Sequence, residues 1–257
     1  MELPRALFHA IRDAGQFGPA VWLRKFGPNR LLRLNISGLG HAYIRTRDSD
    51  FLCFKQVFSW KEYDLSHPPE LGRRIQARYD ELVAGGETPI IVDAGANIGA
   101  ASLWFASQYP AAAVVAVEPD PENVAVLRRN VANQPNVRVL EAAIGSERGR
   151  VELVPGPKSW DVQTVRSETG VKIVTVDDAI KASGGDAPFI IKVDIEGFEA
   201  DLFARNLSWL DRSTVVMIEP HDWMLPGKKT SSTFQRAMGE REFEVFIRGE
   251  NLFYVRP

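Results

Sequence analysis

The 257-residue chain is 45% hydrophobic and 25% charged, with a formal net charge of −2. That supports one large core, or one core with an appendage, and excludes a polyanion binder held by bulk positive charge, so no nucleic-acid partner is expected. A single cysteine, Cys53, excludes an intrachain disulfide and suggests a reducing compartment.

The opening "MELPRALFHAIRDAGQ" lacks the basic start and apolar core of a secretory leader, and no run reaches membrane-spanning length, so a cytoplasmic protein is expected. Residues 4–14 and 19–30 read as short helices that are apolar and basic by turns. Packing on the domain or on a second subunit is expected of them ahead of membrane contact, which leaves a homo-oligomer open. "LLRLNI", "SGLG" and "HAYIRT" form a β-hairpin pattern, and "FLCFKQVFSW" fits strand or helix. "PELGRRIQARYDELVAGG" is a helix with Leu71, Ile75, Tyr79 and Leu82 on one face and a Gly-Gly stop. Residues 1–87 therefore read as an extension of helices and a hairpin, and residues 88–257 as the main domain.

From Pro89 strands and helices alternate: "PIIVDA", a helix over 98–108, "AAVVAVE", a helix over 121–133, then "NVRVLEAAI". Such alternation builds a mainly parallel sheet covered on both faces. Asp120 caps the second of these helices, Pro121 takes its first position, and Val124, Leu127 and Val131 line one face. "RVELVP" and "VKIVTV" read as added strands, with "PGPKSWDVQTVRSETG" a surface loop between them. "PFIIKVD" and "TVVMIEP" are two more buried strands, and "FEVFIRGENLFYVRP" closes the chain as an antiparallel hairpin.

The turn after "PIIVDA" fails the dinucleotide pattern G-x-G-x-x-G, with Asn97 and Ala100 where glycines belong. Gly95 still permits close approach of a ligand, and the helix start near Ile98 offers free N–H groups to an anion or a carboxylate. Glu118, ending the next strand, can accept two hydrogen bonds from a ribose diol, and Asp93 could pair with an ammonium. A ligand with a ribose, an amino group and a carboxylate but no pyrophosphate fits this set, and S-adenosylmethionine is such a ligand.

Asp93, Gly95, Asn97 and Gly99 followed by Glu118 resemble the first two motifs of class I, Rossmann-like methyltransferases. "IIKVDIEGFE" (residues 190–199) is similar to the hallmark of the FkbM family within that class, and "VTVDDAI" and "MIEPHDW" sit where that family carries related segments. The resemblance implies an α/β fold with a seven-stranded, mainly parallel sheet and a C-terminal antiparallel hairpin. It also implies bound S-adenosyl-L-methionine and methyl transfer to oxygen, usually a hydroxyl of a sugar, glycan or glycosylated secondary metabolite. Asp93, Gly95, Asn97 and Glu118 then correspond to cofactor contacts, and the adenine site falls near Glu141 and Ala143.

In an extended "IKVDIEG" the side chains of Lys192, Asp194 and Glu196 share one direction. Lys192 reads as an ion-pair partner of Asp194, Glu196 or Glu219, and Glu199 as an acid at a helix start. Asp194 ends a central strand at the edge where open α/β sheets bind ligands, and Glu219 and His221 end the next one. These three are the expected catalytic residues. His221, oriented by Glu219, is favoured over Asp194 as the base that takes the hydroxyl proton. Asp194, Glu219 and His221 could also ligate a metal, but their spacing carries no recognised signature, so none is expected. Glu196 and Trp160, the latter in the Pro- and Gly-rich loop, are expected to contact the acceptor. Two alternatives stay open: a protein that binds S-adenosylmethionine without turnover, and a nicotinamide-dependent dehydrogenase.

Overall fold

The computed structural model describes residues 5–25, 28–155, 162–185 and 187–257. Helix α1 (Arg5–Phe17) and a 3-10 turn (Pro19–Lys25) lead into the hairpin of β1 (Leu31–Ile36) and β2 (Gly40–Arg45). "FLCFKQVFSW" is helical: α2 (Asp50–Phe54) runs into a π turn (Lys55–Ser59), because Phe51, Phe54, Val57 and Phe58 recur at helical spacing and are all buried. Helix α3 (Pro69–Ala84) buries the four expected residues, Leu71, Ile75, Tyr79 and Leu82.

The main sheet begins with β3 (Pro89–Ala94), buried along its whole length. Then follow α4 (Ala100–Gln108), β4 (Ala113–Glu118), α5 (Pro121–Asn130) and β5 (Val137–Glu141). Asp120 caps α5 as expected, accepting from the backbone N–H groups of Glu122 at 2.7 Å and Asn123 at 3.3 Å. After a second, smaller sheet come α6 (Val176–Ala182), β10 (Ala187–Val193), α7 (Glu199–Leu202), α8 (Ser208–Arg212) and β11 (Val215–Ile218). The chain closes with α9 (Ser232–Gly239) and the hairpin of β12 (Glu244–Arg248) and β13 (Asn251–Val255).

The seven strands run in the order β5-β4-β3-β10-β11-β13-β12, with β13 antiparallel to both its neighbours and the other pairings parallel. This is the mainly parallel α/β sheet with a C-terminal antiparallel hairpin that the sequence predicts. The carboxyl ends of β3, β4, β10 and β11 share one edge, where parallel sheets bind ligands.

The small sheet has the order β6-β9-β7-β8, from β6 (Ala143–Ile144), β7 (Gly149–Pro155), β8 (Val162–Ser167) and β9 (Val171–Val174). Strand β8 corrects the reading of "PGPKSWDVQTVRSETG" as loop throughout. Its polar residues hide a strand that pairs antiparallel with β7, Leu153 opposite Thr164. Most buried apolar residues pack in two clusters on the two faces of the main sheet. One face holds Phe105, Phe189 and Phe253 in a continuous cluster with Phe17, Leu34, Ile44 and Phe54 of the extension. Among the described residues no helix is long and apolar enough to cross a membrane.

Candidate functional site

Gly95 has φ +75°, and a Cβ placed there would lie 1.6 Å from the carbonyl oxygen of Asp194. The glycine therefore lets two strand ends cross, a tighter demand than ligand approach. The Asp194 N–H in turn donates to the Ala94 carbonyl at 3.1 Å, and the N–H groups of Gly95 and Ala96 both donate to Val117 at 3.0 Å. Gly99, at φ +88°, caps α4; a Cβ there would come 2.5 Å from Leu127 Cδ1, so this glycine serves helix packing.

Glu118 is buried and holds the turn together. Its Oε2 accepts from the Asn97 N–H at 2.8 Å, and its Oε1 accepts from the Asp120 N–H at 3.0 Å and Asn123 Nδ2 at 3.3 Å. Burial pushes its carboxyl up to about 7, against the pull of these donors. The same Asn123 accepts from Arg45 Nη2 at 2.7 Å, and Arg45 pairs with Asp50, so the extension is tied to the acid at the end of β4.

A cleft opens here. Gly95, Asn97, Glu118, Ala143, Asp194 and Glu196 line it, with Val117, Ile144, Ile195 and Phe198 as apolar walls and Thr164 of β8 at its side. The expected contacts thus converge, with three corrections. Asp93 is fully buried behind the turn, where its carboxylate lies 3.1 Å from Lys192 Nζ and accepts from Ser102 Oγ at 2.6 Å; it has a protein partner in place of a ligand ammonium. Glu141 is exposed and paired with Arg128 at 3.1 Å, away from the lining. Gly99 does not line the cleft.

Lys192 is buried, donates to the Gly95 carbonyl at 2.8 Å and also lies 3.3 Å from Asp194 Oδ2. Burial alone would make its charge costly, but Asp93 and Asp194 hold it protonated. Strand β10 ends at Val193, and Glu196 sits at φ +51° in the turn that follows.

His221 is 2% exposed and ringed by acids. Its Nδ1 lies 2.7 Å from Oε1 of Glu199, itself 1% exposed, while Nε2 lies 3.4 Å from Glu196, 3.6 Å from Asp194 and 3.8 Å from Glu219. Burial would lower its pKa, but the Glu199 bond and the fields of Asp194, Glu199 and Glu196 push it up to about 10. A ring protonated at neutral pH cannot take a hydroxyl proton, which corrects the reading of His221 as the base. The orienting acid is Glu199, not Glu219. Burial and the Asp194 charge in turn push Glu219 well above the usual carboxylate range.

A second cavity shares Asn97, Asp194 and Glu196 with the first. The extension supplies Leu52, Cys53, Gln56 and Tyr63 to its wall, and the sheet edge supplies Glu219, His221, Trp223 and Glu250. Trp223 is 59% exposed and went unselected in the sequence, although it sits two residues beyond His221 in "EPHDW". The other expected aromatic contact, Trp160, lies outside the described residues.

Residues 93–244 match the methyltransferase FkbM domain. The chain is 27% identical over 155 residues to "2-O-methyltransferase NoeI" of Sinorhizobium fredii, a match covering 52% of this chain and 64% of that protein. It is 30% identical over 166 residues to "Methyltransferase sdnD" of Sordaria araneosa, covering 62% and 56%. It is 26% identical over 175 residues to "Hexuronic acid methyltransferase AglP" of Haloferax volcanii, covering 66% and 71%. The first two matches span less than two thirds of those relatives' length.

Proposed function

The chain belongs to the FkbM methyltransferase family, and on that premise we propose that it transfers the methyl group of S-adenosylmethionine to a hydroxyl of a sugar, glycan or glycosylated metabolite. Membership in that family sets aside the dehydrogenase. The observation that carries the reading is the meeting of two cavities at Asn97, Asp194 and Glu196, one suited to the cofactor and one to an acceptor. The names of NoeI and AglP, an O-methyltransferase and a hexuronic acid methyltransferase, support a sugar oxygen as the target.

The residues fit the cofactor. Glu118 keeps acceptor capacity toward the cleft for a diol, and the Val117, Ile144, Ile195 and Phe198 walls suit a flat base. When bound, S-adenosylmethionine supplies an electrophilic methyl on a sulfonium. The chain's task is to hold the acceptor oxygen in line and remove its proton. Asp194 faces both cavities and is the proton acceptor in this reading, with Lys192 fixing its other oxygen. Asp194, Glu196 and Glu250 outnumber the His221 cation on the acceptor wall and would repel a carboxylate, which favours a neutral hydroxyl over a uronate. The free thiol of Cys53 supports a reducing, cytoplasmic setting.

Release of S-adenosylhomocysteine across a panel of neutral sugars, glycosides and nucleotide sugars tests the reading. A protein that binds S-adenosylmethionine in calorimetry and turns over none of them would support binding without catalysis. One that does not bind it would overturn the assignment.

A further inference from the structure

The extension is charged unlike the rest of the chain. Residues 1–47 hold eight Lys or Arg and only two acids, Glu2 and Asp13, in a protein whose net charge is −2, so the remaining residues are acidic in sum. Between Ala10 and Arg47 the only acid is Asp13, and it is buried, with Lys55 Nζ at 3.3 Å. The charge that this stretch shows to solvent is therefore positive, with Arg12, Arg30, Arg33 and Arg47 exposed.

The same stretch leaves large apolar side chains uncovered. Phe17 and Val21 pack into the core, as expected of the extension, but Ile11, Trp22 and Leu23 each stay 49% exposed. Trp22 Nε1 donates to the Ala10 carbonyl at 3.3 Å, which sets the indole beside the middle of α1, and Leu23 follows it in the 3-10 turn. The Ser37 N–H donates to the Gln16 carbonyl at 2.9 Å and ties α1 to the hairpin, where Leu31 and Arg33 share the exposed face of β1.

We propose that this face of the extension docks on a lipid bilayer that carries anionic headgroups. Indole and aliphatic side chains among arginines, with no exposed acid between them, match the chemistry of that interface, where apolar groups enter the acyl boundary and cations meet phosphate. A second copy of the chain fits worse, because a symmetric contact would set arginines against arginines. A nucleic acid also fits worse, because Ile11, Leu23 and Leu31 offer nothing to a phosphate backbone. Phe17 meets Phe51 edge-on with ring centroids 5.2 Å apart, and Lys55 holds Asp13. Helix α1 is thus fixed on α2 and the π turn, the segment that gives Leu52, Cys53 and Gln56 to the second cavity. The docking claim stands whether or not the protein transfers methyl groups.

Full-length protein is sedimented with vesicles of phosphatidylcholine alone and of phosphatidylcholine with about one-third phosphatidylglycerol. Binding to the anionic vesicles is expected, weakened as salt rises from about 0.1 to 1 M, with little binding to the neutral ones. Trp22→Ser with Leu23→Ser should lower the affinity about tenfold to a hundredfold, and Arg12→Gln with Arg33→Gln at least about fivefold. Ile247→Ser removes an apolar side chain that is 71% exposed on β12, outside the extension, and should leave binding unchanged. Urea midpoints close to that of the wild type verify the fold of each variant. No sedimentation with anionic vesicles at about 1 mM accessible lipid would overturn the proposal. Equal binding to neutral vesicles, or binding unchanged in both pairs of variants, would do the same. A dimer in light scattering that Trp22→Ser with Leu23→Ser dissolves would give the face to a second copy and overturn it too.

Discussion

Glu118→Gln tests the cofactor cleft at the side chain that organises it. The carboxylate accepts from one donor through Oε2 and from two through Oε1. A glutamine keeps its oxygen on the two-donor side and turns its NH₂ toward the Asn97 N–H, so two donors face each other at a contact now 2.8 Å long. One buried, unsatisfied donor costs about 1–3 kcal/mol, and Asn97 must shift in the wall that both cavities share. Affinity for S-adenosylhomocysteine should fall about tenfold to a hundredfold in calorimetry at pH 8. The wild type should also lose affinity as pH falls through about 7, where burial has brought the Glu118 carboxyl, because the protonated form turns a donor toward the ring of donors. The variant should be flat in that range. For the free protein the sign is opposite. A carboxyl raised from 4.5 to about 7 makes the folded state hold the proton longer than the unfolded one, so its contribution to stability falls as pH rises from 4.5 to 7 and is constant above. Urea denaturation of wild type and variant at both ends of that window should show the difference. Equal affinities at pH 8, together with a wild-type affinity flat from pH 6 to 8, would refute the assignment of Glu118 to the cofactor.

Lys192→Met strands the Asp93 carboxylate, which is fully buried, and should cost about 3–5 kcal/mol in urea denaturation; Asp93→Asn in the same chain should recover much of it, and strict additivity would argue against a coupled pair. Gly95→Ala should lower the melting temperature and cofactor affinity together, because φ +75° costs a side chain about 1–2 kcal/mol before the contact with Asp194 is relieved; an unchanged variant would mean that the crossing is looser than its geometry. Trp223→Ala should raise the acceptor KM about threefold to tenfold with cofactor affinity unchanged, and equal effects on both substrates would remove it from the acceptor site. Asp194→Asn should lower kcat about 10²–10⁴-fold while S-adenosylmethionine still binds, and near-normal turnover would leave positioning as the main catalytic contribution.

The parts of the site that the sequence made legible are those set by neighbours along the chain. The strand–turn–helix over 89–108, the Asp120 cap and the placement of Glu118 at a strand end follow from periodicity and turn chemistry. Side-chain partners across strands do not. Alternation gave the face of Lys192, but its pairing with Asp93 follows from the register of β10 on β3, where the two residues stand opposite each other. The link between Glu199 and His221 spans two short helices and a strand, and neither residue's local pattern announces it. Strand β8 escaped notice because its side chains are mostly polar and only its pairing to β7 defines it. The wall that Leu52, Cys53 and Gln56 give the second cavity was hidden because the extension folds back over the sheet edge, a contact between segments far apart in the chain.

The FkbM match begins at residue 93, whereas Leu52, Cys53, Gln56 and Tyr63 precede it and Glu250 follows it. Half of the residues that line the second cavity therefore lie outside the matched span, whereas the cleft at Gly95 and Glu118 lies wholly within it. On the proposed reading, change in the outer segment would reshape the second cavity while Gly95, Glu118 and Asp194 stay as they are. Exchanging residues 49–63 between relatives alike in the matched span is the route by which one donor machinery would acquire another's acceptor.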